Sequence, residues 1–183
     1  ISVILGANGS GKTLLTKVIL GLVNLEKGRV EVHSKKKIKL GYSPQKITFL
    51  RRNVFDNIAF PMILDGSQRS MIKKSVNSLL KKFGIFEIKQ LSARNLSGGL
   101  GQFVSFVRSI VREPEVLILD EPSSNLDINL KNRMEDYLIS QRCKKKIIMV
   151  THDLFQAQRL ADEIILIENG IILMKLSKKE FIK

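Results

Sequence analysis

The sequence predicts an α/β protein: a core with a mainly parallel sheet, a small antiparallel β subdomain and an inserted helical subdomain. Three observations predict it. Residues 1–5 (ISVIL), 116–119 (VLIL) and 147–150 (IIMV) are short runs that are apolar throughout, as strands buried on both faces are. Segments with helical spacing alternate with these runs, the order expected of a parallel sheet covered on both sides. Between about residues 53 and 97 no such strand occurs and the apolar spacing is helical. That stretch reads as an insertion into one domain spanning residues 1–183.

Taken in order, residues 1–5 form the first strand, bounded by Gly6. Leu14, Leu15, Val18, Ile19 and Leu22 follow a glycine-rich turn with helical spacing. Residues 28–34 and 37–42 alternate apolar and polar side chains, as a small half-exposed sheet does. Ile72, Val76, Leu79, Leu80 and Phe83 mark one helix face, with Gly84 as its stop. Phe103, Phe106, Val107, Ile110 and Val111 mark another helix, which ends before Pro114. Residues 116–119 are the second buried strand. Asp127 is placed to cap a helix carrying Leu130, Met134, Tyr137 and Leu138. After the third strand, 147–150, Asp153 caps the next helix. Residues 164–167 and 171–174 flank Asn169-Gly170, a tight-hairpin signal.

Composition bounds the function. With 183 residues, the chain is long enough for a substantial core. Apolar residues make up 44% and charged residues 26%, ordinary for a globular protein. No apolar run approaches the roughly 20 residues that span a bilayer, and no signal peptide opens the chain. Cys143 is the sole cysteine, so no internal disulfide forms, as in a reducing compartment. The net charge is +14, but the lysines stand in short scattered groups without interleaved aromatics. They read as solvated faces, and no direct nucleic-acid contact is expected. The chain opens at Ile1 inside a strand-like run, so an upstream segment is expected.

The chemistry sits in two places. Gly6, Ala7, Asn8, Gly9, Ser10, Gly11, Lys12 and Thr13 fit G-x-x-x-x-G-K-[ST], directly after a strand and opening a helix. Glycines let backbone N–H groups curl around phosphate oxygens, and the helix N-terminus adds partial positive charge. Lys12 supplies a full charge for the β- and γ-phosphates, and the Thr13 hydroxyl suits Mg²⁺. The second place is the end of the strand 116–119, where Asp120 and Glu121 follow. A carboxylate at the phosphate edge of a parallel sheet is where Mg²⁺ is needed, so Asp120 is the metal candidate. Glu121 is the candidate to polarise the attacking water.

These residues, with others, resemble the ABC ATPases, a family built on the P-loop NTPase core. Leu96-Ser97-Gly98-Gly99 resembles the family's signature motif. Gln45 in YSPQ, Ser124-Asn125-Leu126-Asp127, and His152 after the third strand follow in the family's order. The resemblance covers essentially the whole chain. It implies that Gln45 contacts Mg²⁺ or water and senses the transporter interface, that His152 touches the γ-phosphate, and that Asp127 couples two sites. It also implies a head-to-tail homodimer, in which Ser97, Gly98 and Gly99 of one subunit close over the ATP held by Lys12 of the other. ATP then glues the subunits and hydrolysis releases them.

The sequence departs from the family pattern twice. Leu100 stands where the signature usually has glutamine and Phe103 where it has arginine, while Gln102 is retained. Such changes are expected to affect dimer closure or turnover rather than phosphate binding. The aromatic that usually stacks on adenine lies upstream of the phosphate loop, and only five residues precede the loop here.

Residues 49–66 resemble the region where importer ATPases meet a helix of their membrane partner. The motif THDLFQA and the hairpin after it are also similar to importers, faintly to those for oxyanions such as tungstate or phosphate. The expected partners are transmembrane permease subunits and an extracytoplasmic substrate-binding protein. The expected place is the cytoplasm, peripheral on the inner face of the membrane. A soluble family member acting on DNA or ribosomes is the alternative. Sustained heptads between Lys12 and Asp120, or a second cassette, would favour it, and neither occurs. A weakly hydrolysing or scaffold subunit is a further alternative raised by Leu100 and Phe103, and Glu121 and His152 argue against it.

Overall fold

The computed structural model describes all residues except Lys35, Lys37, Ile182 and Lys183. Its first strand, β1 (Ser2–Leu5), is buried along its whole length, because both of its faces are covered. β1 pairs in parallel with β4 (Lys146–Thr151) on one side and β5 (Glu163–Glu168) on the other. Beyond β4 lies β3 (Val116–Asp120), then β2 (Leu40–Ser43), both parallel. β6 (Ile171–Ser177) closes the other edge, antiparallel to β5, so the described sheet has the order β2-β3-β4-β1-β5-β6. The turn between β5 and β6 is Asn169-Gly170, with φ of 49° and 79°. Both residues are left-handed, the backbone that matches a tight hairpin to strand twist.

One expectation fails. Residues 28–34 alternate as a strand should but form none. A single extended segment has no ladder partner for its N–H and C=O groups and is not stable alone. Val30 and Val32 accordingly stand 45% and 62% exposed. Of the second alternating segment only β2 becomes a strand, and it joins the main sheet. The antiparallel component is therefore the β5–β6 pair. Lys35 and Lys37 lie outside the described residues.

The helices follow their caps. The N-terminal turn of α1 (Lys12–Ile19) has Gly11 ahead of it and no side-chain cap. Asn53 accepts from Asp56 N at 2.7 Å and starts α2 (Val54–Leu64). Buried Asn57 then bonds Leu50, Arg52 and Asn53 backbone groups at 2.9–3.3 Å and fixes the chain entering that helix. α3 (Arg69–Lys82) packs on α2. α4 (Gly98–Ile110) packs on α2, β2 and β3. α5 (Ile128–Gln141) is capped by Asp127, whose Oδ1 accepts from Leu130 N at 2.9 Å. Asp153 caps α6 (Leu154–Leu160) through Gln156 N at 2.9 Å. α7 (Lys178–Phe181) closes the described chain.

The main core joins these helices to the sheet. At its centre Phe103 meets Phe83 edge-on at 5.5 Å and Phe106 at 6.0 Å, and Tyr137 closes the group at 5.5 and 5.7 Å from Phe83 and Phe106. The sequence departure at 103 is thus a core residue: an arginine there would bring a charge into an apolar cluster.

Candidate functional site

Sheet register brings the chemistry to one edge. Ile4 and Asp120 both align with Val150 of β4, which lies between their strands. The loop after β1, the acids after β3 and His152 after β4 therefore leave the sheet at one level. α1 contacts β3, which turns the phosphate loop toward the acidic strand end.

In the loop, Gly9 and Gly11 have φ of 82° and 97°, backbone that side chains resist. The N–H groups opening α1 have no partner within the helix, as an anion cradle requires. Gly170 N donates to Ser10 O at 3.0 Å, so the β5–β6 hairpin braces the loop. Lys12 is buried, and its Nζ donates to Gly6 O and Ala7 O at 2.8 and 2.9 Å. With three N–H donors, the ammonium keeps one for a phosphate oxygen.

A cleft of about 330 Å³ is lined by Asn8, Gly9, Gly11, Lys12, Thr13, Leu14, Gln45 and Glu121. Gln45 reaches it from just past β2. Asp120 is fully buried beside it, and among the described residues no donor meets either carboxylate oxygen in good hydrogen-bond geometry. Burial, first of all, pushes its pKa up; Glu121 adds to the rise, and the Thr13 hydroxyl, Lys12 and Lys17 oppose it. A buried carboxylate with unmet oxygens beside a threonine hydroxyl suits a hard divalent cation such as Mg²⁺. Thr13, Asp120 and Gln45 are the residues that would hold it.

Glu121 is buried and has φ of 48°, unusual for a residue with a side chain. Its N–H donates to Val150 O at 2.9 Å, and Oε1 lies 2.8 Å from Nδ1 of the exposed His152. The carboxylate is thereby held at the cleft with a histidine beside it, the arrangement of a positioned general base.

Not every candidate joins this cleft. Ser97 caps α4, its Oγ accepting from Leu100 N at 3.4 Å, and it is exposed with Gly98 at the N-terminal end of that helix. Gly99 follows in the first turn of α4. Within one chain these residues do not line the space beside Lys12. Asp127, the cap of α5, is likewise exposed outside it. Leu100 is partly buried and packs against the core.

The structure adds contacts that the sequence did not show, around Gln102 and the residues Gln156, Glu135 and Arg159. Buried Gln102 donates from Nε2 to Glu121 O. Its Oε1 accepts from Ser124 Oγ at 3.3 Å and Asn125 Nδ2 at 3.2 Å. From the other side, buried Gln156 donates to Ser123 Oγ at 2.8 Å and to Glu135 Oε1 at 3.0 Å. Arg159 grips Glu135 through both carboxylate oxygens at 2.8 and 2.9 Å. The available signal was a polar residue on a buried helix face, Gln102 beside Phe103 and Val104.

Comparisons with known proteins identify the family and the fold. A family profile described as ABC transporter matches residues 1–124. The tungstate uptake ATP-binding protein TupC of Peptoclostridium acidaminophilum is 36% identical over 91% of this chain and 81% of its own. The zinc import ATP-binding protein ZnuC of Wigglesworthia glossinidia brevipalpis is also 36% identical, over 96% of this chain and 74% of its own. A solved ATP-binding subunit of an ABC transporter superposes with a TM-score of 0.87 at 22% identity, covering 96% of this chain and 78% of that one.

Proposed function

The chain belongs to the ABC transporter ATP-binding family and is an ATPase, and from that premise we propose that it drives substrate import through a membrane permease. The observation that carries the proposal is the single cleft where the phosphate loop, Gln45 and Glu121 meet, with His152 bonded to Glu121. Lys12 and the N–H groups opening α1 bind the triphosphate and take up the charge that grows on it. Glu121, aligned by His152, draws a proton from water as that water attacks the γ-phosphorus, and ADP and phosphate leave. Mg²⁺, held by Thr13, Asp120 and Gln45, would neutralise the phosphate oxygens.

The exposed Ser97, Gly98 and Gly99 fit a second role. Two chains arranged head to tail set this helix N-terminus against the nucleotide bound by the partner. The outward position of Ser97 and Asp127 supports that reading. The family resemblance supports permease subunits as partners, with a substrate-binding protein delivering the cargo. Among the described residues no helix is long and apolar enough to cross a membrane; in our reading permease subunits supply the passage. A cleft of about 640 Å³ between α2 and α3, lined by Phe55, Ala59, Ile63 and Ile72 among others, is the contact we assign to the permease. Our reading places the chain on the cytoplasmic face of the membrane. For the cargo we propose an oxyanion such as tungstate, supported by the similarity to TupC. Uptake of labelled tungstate with and without zinc competition tests it, because the zinc-import relative is equally identical.

Changing Glu121 to Gln tests the whole scheme. Hydrolysis should fall at least about 100-fold, as loss of a general base predicts, while ATP holds two chains together. Phosphate release and light scattering read both effects. Monomers alone in saturating ATP, with hydrolysis undiminished, contradict it.

A further inference from the structure

We propose that Gln102 is a positioning residue that ties the N-terminus of α4 to the general base of the same chain, so that contact made by Ser97 at one nucleotide adjusts Glu121 at the other. The inference rests on the head-to-tail reading above and adds a cis connection within each chain.

Two contacts build the connection. Gln102 lies five residues past Ser97 on α4, about one and a half turns, and is buried at 1% exposure. Its amide is used from both ends. Nε2 donates to Glu121 O, and Oε1 accepts from Ser124 Oγ and Asn125 Nδ2. The second contact is at Gly99, where a Cβ would lie 2.4 Å from Asn125 O. Only a residue without a side chain permits that approach. The first two turns of α4 therefore grip residues 121–125 at both a backbone contact and a hydrogen-bonded amide.

The grip falls where the chain is under constraint. Glu121 occupies left-handed backbone that side-chain-bearing residues rarely adopt. It persists only because surrounding bonds determine it. Its N–H is held by Val150 O, and its carbonyl by Gln102, with Ser124 Oγ at 3.3 Å. Moving α4 along its axis moves Gln102 and loosens or tightens the carbonyl end. The carboxylate follows, because it is on the same residue. An α-helix transmits such a displacement with little bending over two turns, and Ser97 and Gln102 share one. The retained glutamine of the signature region thus acts inside its own chain, whereas Ser97 acts on the neighbouring one.

Three variants separate the parts. Gln102→Leu keeps the volume and removes every hydrogen bond. Gln102→Glu keeps the acceptor for Ser124 and Asn125 and loses the donor to Glu121 O. The exposed pair Ser124→Ala with Asn125→Ala removes both donors to Gln102 Oε1, together with the 3.3 Å bond from Ser124 Oγ to Glu121 O, without touching the core, so a result exists even if the buried variants misfold. ATP hydrolysis is measured against ATP concentration for kcat, KM and Hill coefficient, with ATP affinity by calorimetry. Both Gln102 variants are expected to lose about 10- to 100-fold in kcat, the range for residues that orient catalytic groups. KM and ATP affinity should stay within about twofold, with the Hill coefficient falling toward one. The double alanine variant should lower the Hill coefficient with a smaller loss in kcat. A wild type that hydrolyses cooperatively while Gln102→Leu matches its kcat and Hill coefficient overturns the relay alone. So does an unchanged Hill coefficient in the double alanine variant. A wild type with a Hill coefficient of one and no ATP-dependent dimer overturns the head-to-tail reading instead.

Discussion

Replacing Phe103 with alanine probes whether the departure at this position belongs to the core or to the site. Phe103 is fully buried, with Phe83 edge-on at 5.5 Å and Phe106 at 6.0 Å. Truncating a buried phenylalanine costs about 3–5 kcal/mol, from lost transfer and the cavity left behind. The edge-on pair is included in that range. We take about 4 kcal/mol, a large part of the 5–15 kcal/mol typical of native domains. With a urea slope of about 2 kcal/mol per molar, the midpoint should fall by about 2 M. The chain has no tryptophan and two tyrosines, so tyrosine emission, to which Tyr137 on the same rings contributes, reports the transition together with circular dichroism. Activity per folded molecule should hold, because the ring faces the core and not the cleft. A midpoint shift below about 0.5 M at unchanged slope, or lost activity in fully folded protein, refutes the reasoning.

Two further predictions concern charge. Asp120 has a raised pKa because of burial; a carboxyl raised in the folded state costs stability when ionised, and the cost is relieved as pH falls through that pKa. Asp120→Asn should therefore raise the thermal midpoint at neutral pH without nucleotide or Mg²⁺, while Mg²⁺-dependent hydrolysis falls by orders of magnitude. A lowered midpoint with intact hydrolysis contradicts it. Glu163, by contrast, is pulled from 4.5 down to about 2, first by the Ser2 hydroxyl and then by Lys175, with Lys146 adding to both. A depressed carboxylate stabilises the fold above its unfolded pKa, and that stability is lost as pH falls from 4.5 toward about 2. After allowance for screening of a side chain that is 30% exposed, Glu163→Gln should cost about 1–2 kcal/mol at neutral pH. The difference should vanish in acid. Parallel stability curves for the two proteins across this window rule the account out.

What the sequence made legible was what local pattern determines. The three apolar runs became β1, β3 and β4 within a residue or two. Asp127 and Asp153 capped the helices assigned to them, and Asn169-Gly170 made the expected hairpin. In the site, the phosphate loop, Gln45 and the acids after β3 announced themselves by motif, and the fold put them on one edge. Residues 28–34 misled because period-two alternation signals a strand only when a neighbour completes its ladder, and spacing carries no information about neighbours. The contacts of Gln102, Gln156 and the Glu135–Arg159 pair stayed hidden for a related reason. Their partners lie 19 to 33 positions away along the chain, and which of many polar residues meet is settled by packing. Phe103 looked like a defect in a functional motif until its ring neighbours gave it a structural purpose.

The bonds from Lys12 to the carbonyls of Gly6 and Ala7 have a consequence for timing. They make the lysine a clasp that stitches the curl of backbone to the start of α1. The entropy of arranging that curl is lost once, when the protein folds, and not again at each encounter. Successive turnovers therefore start from the same shaped seat.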